Sequence, residues 1–129
     1  MVRTKQLVKT FKNGDILTPV LKGIDFQARQ GEWVAIMGRS GAGKSTLLYQ
    51  MSLLDDPTSG EIVIDGHDTH TMSASDKMLF RLSKFGFVFQ DYALLPELTA
   101  LENVALPLLM AGLPKPDAYR LSSAALERA

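Results

Sequence analysis

The chain contains no cysteine, which excludes disulfides, thiolate metal sites and cysteine nucleophiles together. It has no excess of charge, since fourteen Lys and Arg are balanced by fourteen Asp and Glu. With no run of like charges either, nothing draws it toward nucleic acid or anionic lipid, and nucleic acid is not an expected partner. Long apolar runs are also missing. The richest, Val104 to Leu113, is about half of what a membrane span needs. The N-terminal MVRTKQLVKTFKNG lacks the apolar segment of a secretory signal, so a cytoplasmic location is expected. What remains is a chain of 129 residues, 46% apolar, with room for one domain and one modest core. It shows no internal repeat and no low-complexity segment.

Hydrophobic periodicity predicts alternating strands and helices. Gln6–Thr10 and Val20–Ala28 read as strands around a polar Asn13-Gly14-Asp15 turn. In the second, Val20, Ile24, Phe26 and Ala28, interrupted by Lys22, are expected to form one apolar face. Trp33–Met37, between Gly31 and Gly38, reads as a strand buried on both faces. A helix is predicted from Lys44 to about Leu54, stopped by Asp55-Asp56-Pro57. Glu61–Asp65 reads as a strand ended by Asp65-Gly66. Ser73–Ser83 reads as a helix with Met78, Leu79 and Leu82 on one stripe and Asp76 near its positive end. Phe85–Phe89 is another expected strand. Thr99-Ala100-Leu101-Glu102 has the spacing of a capping box, opening a helix that runs through Pro107 and ends near Gly112. A last helix is expected from about Asp117 to the end of the chain. The alternation indicates an α/β fold.

The strongest motif runs Gly38, Arg39, Ser40, Gly41, Ala42, Gly43, Lys44, Ser45, Thr46, and matches G-x-x-x-x-G-K-[ST] at every fixed position. A triphosphate tail is polyanionic and needs several donors aimed at one small volume. Glycines tolerate positive φ and add no Cβ bulk, so backbone N–H groups can approach closely. The helix that follows adds its positive end. The Lys44 ammonium is expected on the β- and γ-phosphates, and the Ser45 hydroxyl on Mg²⁺. Such a Lys–phosphate pair at about 4 Å is worth roughly 4 kcal/mol at an effective dielectric near 20, before desolvation. The plainer alternative is a glycine-rich turn. A buried strand before and a helix after would favour the phosphate cradle, with ATP or a close nucleotide as ligand.

A phosphate loop does not choose among transporters, kinases, GTPases and helicases. The stretch from Val20 to Gly66, with LKGIDFQARQGEWVAIMGRSGAGKSTLL and then DDPTSGEIVIDG, resembles the ATPases of ABC transporters. FGFVFQDYALLPELTALENV resembles that family's Q-loop region. The wording is most similar to the branch serving lipoprotein release, macrolide export and related bacterial systems. The resemblance implies a P-loop NTPase core with an N-terminal antiparallel β portion. It divides the chain into residues 1–90, the β portion and P-loop core, and 91–129, the Q-loop and the start of a helical subdomain. The domain would be incomplete.

The resemblance also carries roles onto matching residues. Phe11 sits where the family stacks an aromatic on adenine, worth about 1–3 kcal/mol; packing between strands is the alternative. Gln90 matches the Q-loop glutamine, placed near Mg²⁺ or the attacking water. Residues from Asp91 to Glu102 would face a membrane-spanning transporter subunit. Tyr92, Leu94, Leu95 and Leu98 are either interface anchors there or core beneath the loop. The resemblance further implies a second ATPase domain in the intact protein and attachment at the cytoplasmic face of the membrane through partner subunits.

Other signals are read plainly. Ile62-Val63-Ile64-Asp65 mimics a Walker B strand, but Gly66 stands where its Glu belongs, so a turn is expected. Leu121-Ser122-Ser123-Ala124 lacks the glycines of the signature motif and is expected to be ordinary helix. His67 and His70 have no evident third metal ligand. Signature motif, Walker B and switch histidine are all missing, so nucleotide binding without efficient turnover is expected. The competing class is a non-catalytic nucleotide-binding or interaction fragment. A GTPase would need an N-K-x-D motif, and none is present.

Overall fold

A computed structural model describes residues 1–129. The chain divides into two compact units, Met1–Lys77 and Met78–Ala129. The first is built on an antiparallel sheet of β1 (Val2–Asn13), β2 (Ile16–Ala28), β3 (Ser59–Ile64) and β4 (His67–Asp68), in the order β2-β1-β3-β4. Helix α1 (Lys44–Met51) packs on β1 and β2. The core is Leu7, Leu21, Leu47, Met51, Leu53, Ile62 and Ile64.

The β1–β2 hairpin turns at Gly14-Asp15, as its sequence predicts. Strict alternation along β2 fails, however. Leu21, which lies outside the expected apolar face, is 3% exposed and is the buried residue of that strand. Ladder irregularities between Thr4 and Leu7 shift the pairing, with Gln6 at φ 47° and Gly23 at φ 85°. A bulge of this kind moves later side chains to the other face. The Asp25 carboxylate holds the bulge by accepting from the Gln6 backbone N–H at 2.6 Å and from its Nε2 at 3.1 Å.

Asp65-Gly66 is the two-residue turn of the β3–β4 hairpin, both residues at positive φ. The Walker B likeness ends there. The Asp65 carboxylate accepts from the amino terminus at 2.6 Å.

Two strand expectations are overturned. Trp33–Met37 and Phe85–Phe89 form no ladder and are not buried. Trp33 is 98% exposed, Met37 87% and Val88 102%. A strand is stabilised by its neighbours' N–H and C=O groups, and no other segment pairs with either stretch.

Helix α2 (Ala74–Lys84) straddles the boundary between the units, and its Met78 and Leu79 stay exposed. Its N-terminus is closed by Ser73 and Asp76, whose side chains bond reciprocally. In the second unit, α3 (Ala100–Met110) and α4 (Lys115–Leu126) form a hairpin packed through Ala105, Ala118 and Ser122. Small residues let the two backbones approach. No helix is long and apolar enough to cross a membrane.

The capping box at Thr99 is fully formed. Thr99 N–H donates to Glu102 Oε2 at 2.8 Å, and Glu102 N–H donates to Thr99 Oγ1 at 3.3 Å. The bond from the Thr99 backbone, then that from its hydroxyl, holds the Glu102 carboxyl below its ordinary 4.5. A lowered folded value means the contribution is complete above 4.5 and is lost as pH falls through the folded value. Glu102→Gln should therefore flatten the acid limb of the α3–α4 unit below the ordinary 4.5, followed by amide exchange. An unchanged acid limb would show the box to be energetically silent.

Candidate phosphate-binding site

Gly38 to Thr46 lie in the first unit, running into the N-terminus of α1. Ala42 N–H closes a turn onto the Arg39 carbonyl at 3.2 Å. Gly43 caps the helix in the left-handed region at φ 90°, without any side-chain cap. The first-turn N–H groups of a helix have no intrahelical acceptors, so here they remain available to a ligand. Gly43 is required on a second ground. A Cβ there would stand 2.9 Å from Val20 Cγ1 and 3.2 Å from Leu21 Cδ2, so the loop seats directly on β2.

Val20, Ser40, Gly41, Gly43, Lys44, Ser45 and Thr46 line an open cavity of about 340 Å³. The Lys44 ammonium donates to the carbonyls of Gly38 and Arg39, each at 2.9 Å. That uses two of its three protons and holds the cation against the loop. The Ser45 side chain is exposed on the cavity wall. Gly38 and Arg39 shape the turn without lining the cavity.

Phe11 is 44% exposed, so it is not packed between strands. It pairs with Thr18 across the β1–β2 ladder, two residues before the cavity-lining Val20. Strand rise and spacing then put its backbone within about 10 Å of the cavity wall. Gln90 lies in the second unit, exposed, in a bend.

Tyr92, Leu94 and Leu95 are 93%, 63% and 47% exposed, which excludes the core reading for them. The loop they sit on is closed by a residue the sequence reading passed over. Asn103 Nδ2 donates to the carbonyls of Leu95 and Leu98 at 3.1 Å and of Thr99 at 3.0 Å, and its Oδ1 accepts from Leu95 N–H at 2.8 Å. An amide side chain inside a helix was the available signal, because Asn is a poor helix former. Also missed was a polar chain of Gln50, Asp55 and Lys9. Leu121–Ala124 is helical. No group of three or more His, Asp or Glu is placed to hold a metal, and His67 and His70 form none.

A glycine-rich loop, a lysine at its end and a helix N-terminus thus meet around one open cavity. The chain belongs to the ABC transporter family, whose sequence model matches residues 21–129. It is 45% identical over 126 residues to the macrolide export ATP-binding/permease protein MacB of Brucella abortus, covering 98% of this chain and 20% of that protein. It is 46% identical over 112 residues to the lipoprotein-releasing system ATP-binding protein LolD of Xylella fastidiosa, covering 87% and 47%. Among solved structures it matches the dimeric, post-hydrolysis ATP-binding cassette MJ0796 bound to ADP and Pi. That match has a TM-score of 0.88 and 39% identity, over 98% of this chain and 56% of that one. The chain thus spans about half the length of LolD and of the cassette.

Proposed function

We propose that this chain is the nucleotide-binding front part of an ABC transporter ATPase that couples ATP to export or lipoprotein release through membrane-spanning partner subunits. The carrying observation is the cavity at the start of α1, with the Lys44 ammonium parked on two loop carbonyls. A polyphosphate entering it meets unsatisfied N–H groups and a cation that need only exchange carbonyl oxygens for phosphate oxygens. Phe11, exposed on the neighbouring hairpin, offers a stacking face for the base.

Mg²⁺ fits the donor set on this wall. A hard cation takes oxygen ligands, and the exposed Ser45 hydroxyl supplies one beside Lys44. When bound, the ion neutralises charge on the phosphates. The loop after Gln90 is the proposed docking surface for a membrane subunit. Attachment would then be peripheral, at the cytoplasmic face, and a second ATPase domain would complete the assembly.

The cavity lining includes no carboxylate. In-line attack on a γ-phosphoryl group needs a positioned water and charge stabilisation beyond the cradle. These residues therefore supply binding rather than turnover. Calorimetric titration of the chain with Mg-ATP should show one saturable site per chain. A folded preparation giving no heat and no protection of residues 38–46 from exchange would refute the proposal.

A further inference from the structure

Lys9 sits two residues before the exposed aromatic of β1, and three contacts fix its ammonium. Nζ lies 5.1 Å from the centroid of the Phe11 ring. It donates to Asp55 Oδ1 at 2.7 Å and to the Asp56 carbonyl at 2.5 Å. The second Asp55 oxygen accepts from Gln50 Nε2 at 2.8 Å. Gln50 belongs to α1 and is fully buried, so that end of the chain cannot swing. The main chain beside Lys9 is pinned too, with Thr10 N–H on Thr58 Oγ1 at 2.9 Å and Thr58 N–H on the Val8 carbonyl at 2.9 Å.

We propose that Lys9 is a positioning residue for nucleobase binding: it fixes the Phe11 ring, and through Asp55 and Gln50 it ties that ring to the helix bearing the phosphate cradle. This rests on the nucleotide reading above and deepens it. An exposed phenyl ring on a strand samples several rotamers, and ordering it on binding costs affinity. A cation over one face favours one rotamer and leaves the ring available to a base, as its 44% exposure shows. The Asp55 carboxylate stops Lys9 from turning to solvent, and burial of Gln50 stops Asp55 from following it. The two parts of the site thus move as one.

The test uses two probes on the full chain, Mg-ATP and inorganic tripolyphosphate, which has the phosphates but no base. Lys9→Met keeps most of the apolar stem and removes the cation. It should weaken Mg-ATP by about fivefold and leave tripolyphosphate unchanged, with Lys9→Arg restoring the affinity. In a Phe11→Ala background, Lys9→Met should change neither probe. Equal weakening of both probes, no weakening of either, or the same loss with Phe11 absent would overturn the assignment. Should Lys9→Met lose its native circular dichroism, Asp55→Asn, which frees the ammonium while keeping side-chain volume, carries the same expected split. An unaltered chain that binds neither probe would refute the nucleotide reading itself. Binding of ATP with no split between the probes would sink only the role of Lys9.

Discussion

Replacing Lys44 with alanine should weaken Mg-ATP binding about a hundredfold while leaving the melting transition of the first unit almost unmoved. A charge pair with phosphate at about 4 Å is worth roughly 4 kcal/mol at an effective dielectric near 20. Part of that is offset because the ammonium must leave the carbonyls of Gly38 and Arg39. A net loss of about 3 kcal/mol corresponds to roughly two decades in Kd. Stability is spared because Lys44 is only half-buried and bonds nothing outside its own loop. Titration of both proteins with Mg-ATP, beside a denaturant melt of each, separates the two quantities. A change in Kd of less than threefold would mean that the ammonium does not reach the phosphates.

Gly60→Ala should be the most destabilising single methyl addition in the chain. Gly60 has φ 95°, and an added Cβ would stand 2.7 Å from the Gln6 carbonyl carbon and 2.7 Å from Leu7 Cα. Those are backbone atoms of β1 at its bulge, held on one side by Asp25 and on the other by the β1–β3 ladder. They cannot yield as a side chain can. The left-handed conformation costs a residue with a Cβ about 1–2 kcal/mol, and overpacking adds about 1–3 kcal/mol. A total near 4 kcal/mol is a large fraction of the roughly 5–15 kcal/mol that stabilises a typical domain. Gly14→Ala is the control. It has φ 58° but nothing within 4 Å of the added Cβ, so only the conformational part applies. If urea midpoints shift equally for both, steric exclusion at Gly60 is not what keeps β3 in register.

Much of this was legible from residues alone because the cues were local. The Thr99–Glu102 box, the Asp65-Gly66 turn and the helix after Gly43 are set by hydrogen bonds within four residues. Periodicity failed where its assumption of unbroken alternation failed. The Gln6–Gly23 bulge turned Leu21 inward, and no pattern of apolar residues announces a bulge. Asp55-Asp56-Pro57 read as the stop of a helix reaching Leu54, but α1 ends earlier, at Met51 with Ser52 as its C-cap. The role that Asp55 does take, between Lys9 and Gln50, joins positions 46 apart in sequence.

By itself the sequence determined the make-up of the proposed phosphate cradle, where its glycines, lysine and hydroxyl stand, and the family the chain belongs to. Those residues are consecutive, so chain geometry leaves their grouping little freedom. Tertiary structure decided the rest. It seated the loop on Val20 and Leu21, brought Lys9 over Phe11, and left Trp33–Met37 and Phe85–Phe89 without ladders. A strand exists only when another strand answers its N–H and C=O groups, and apolar composition cannot say whether one does.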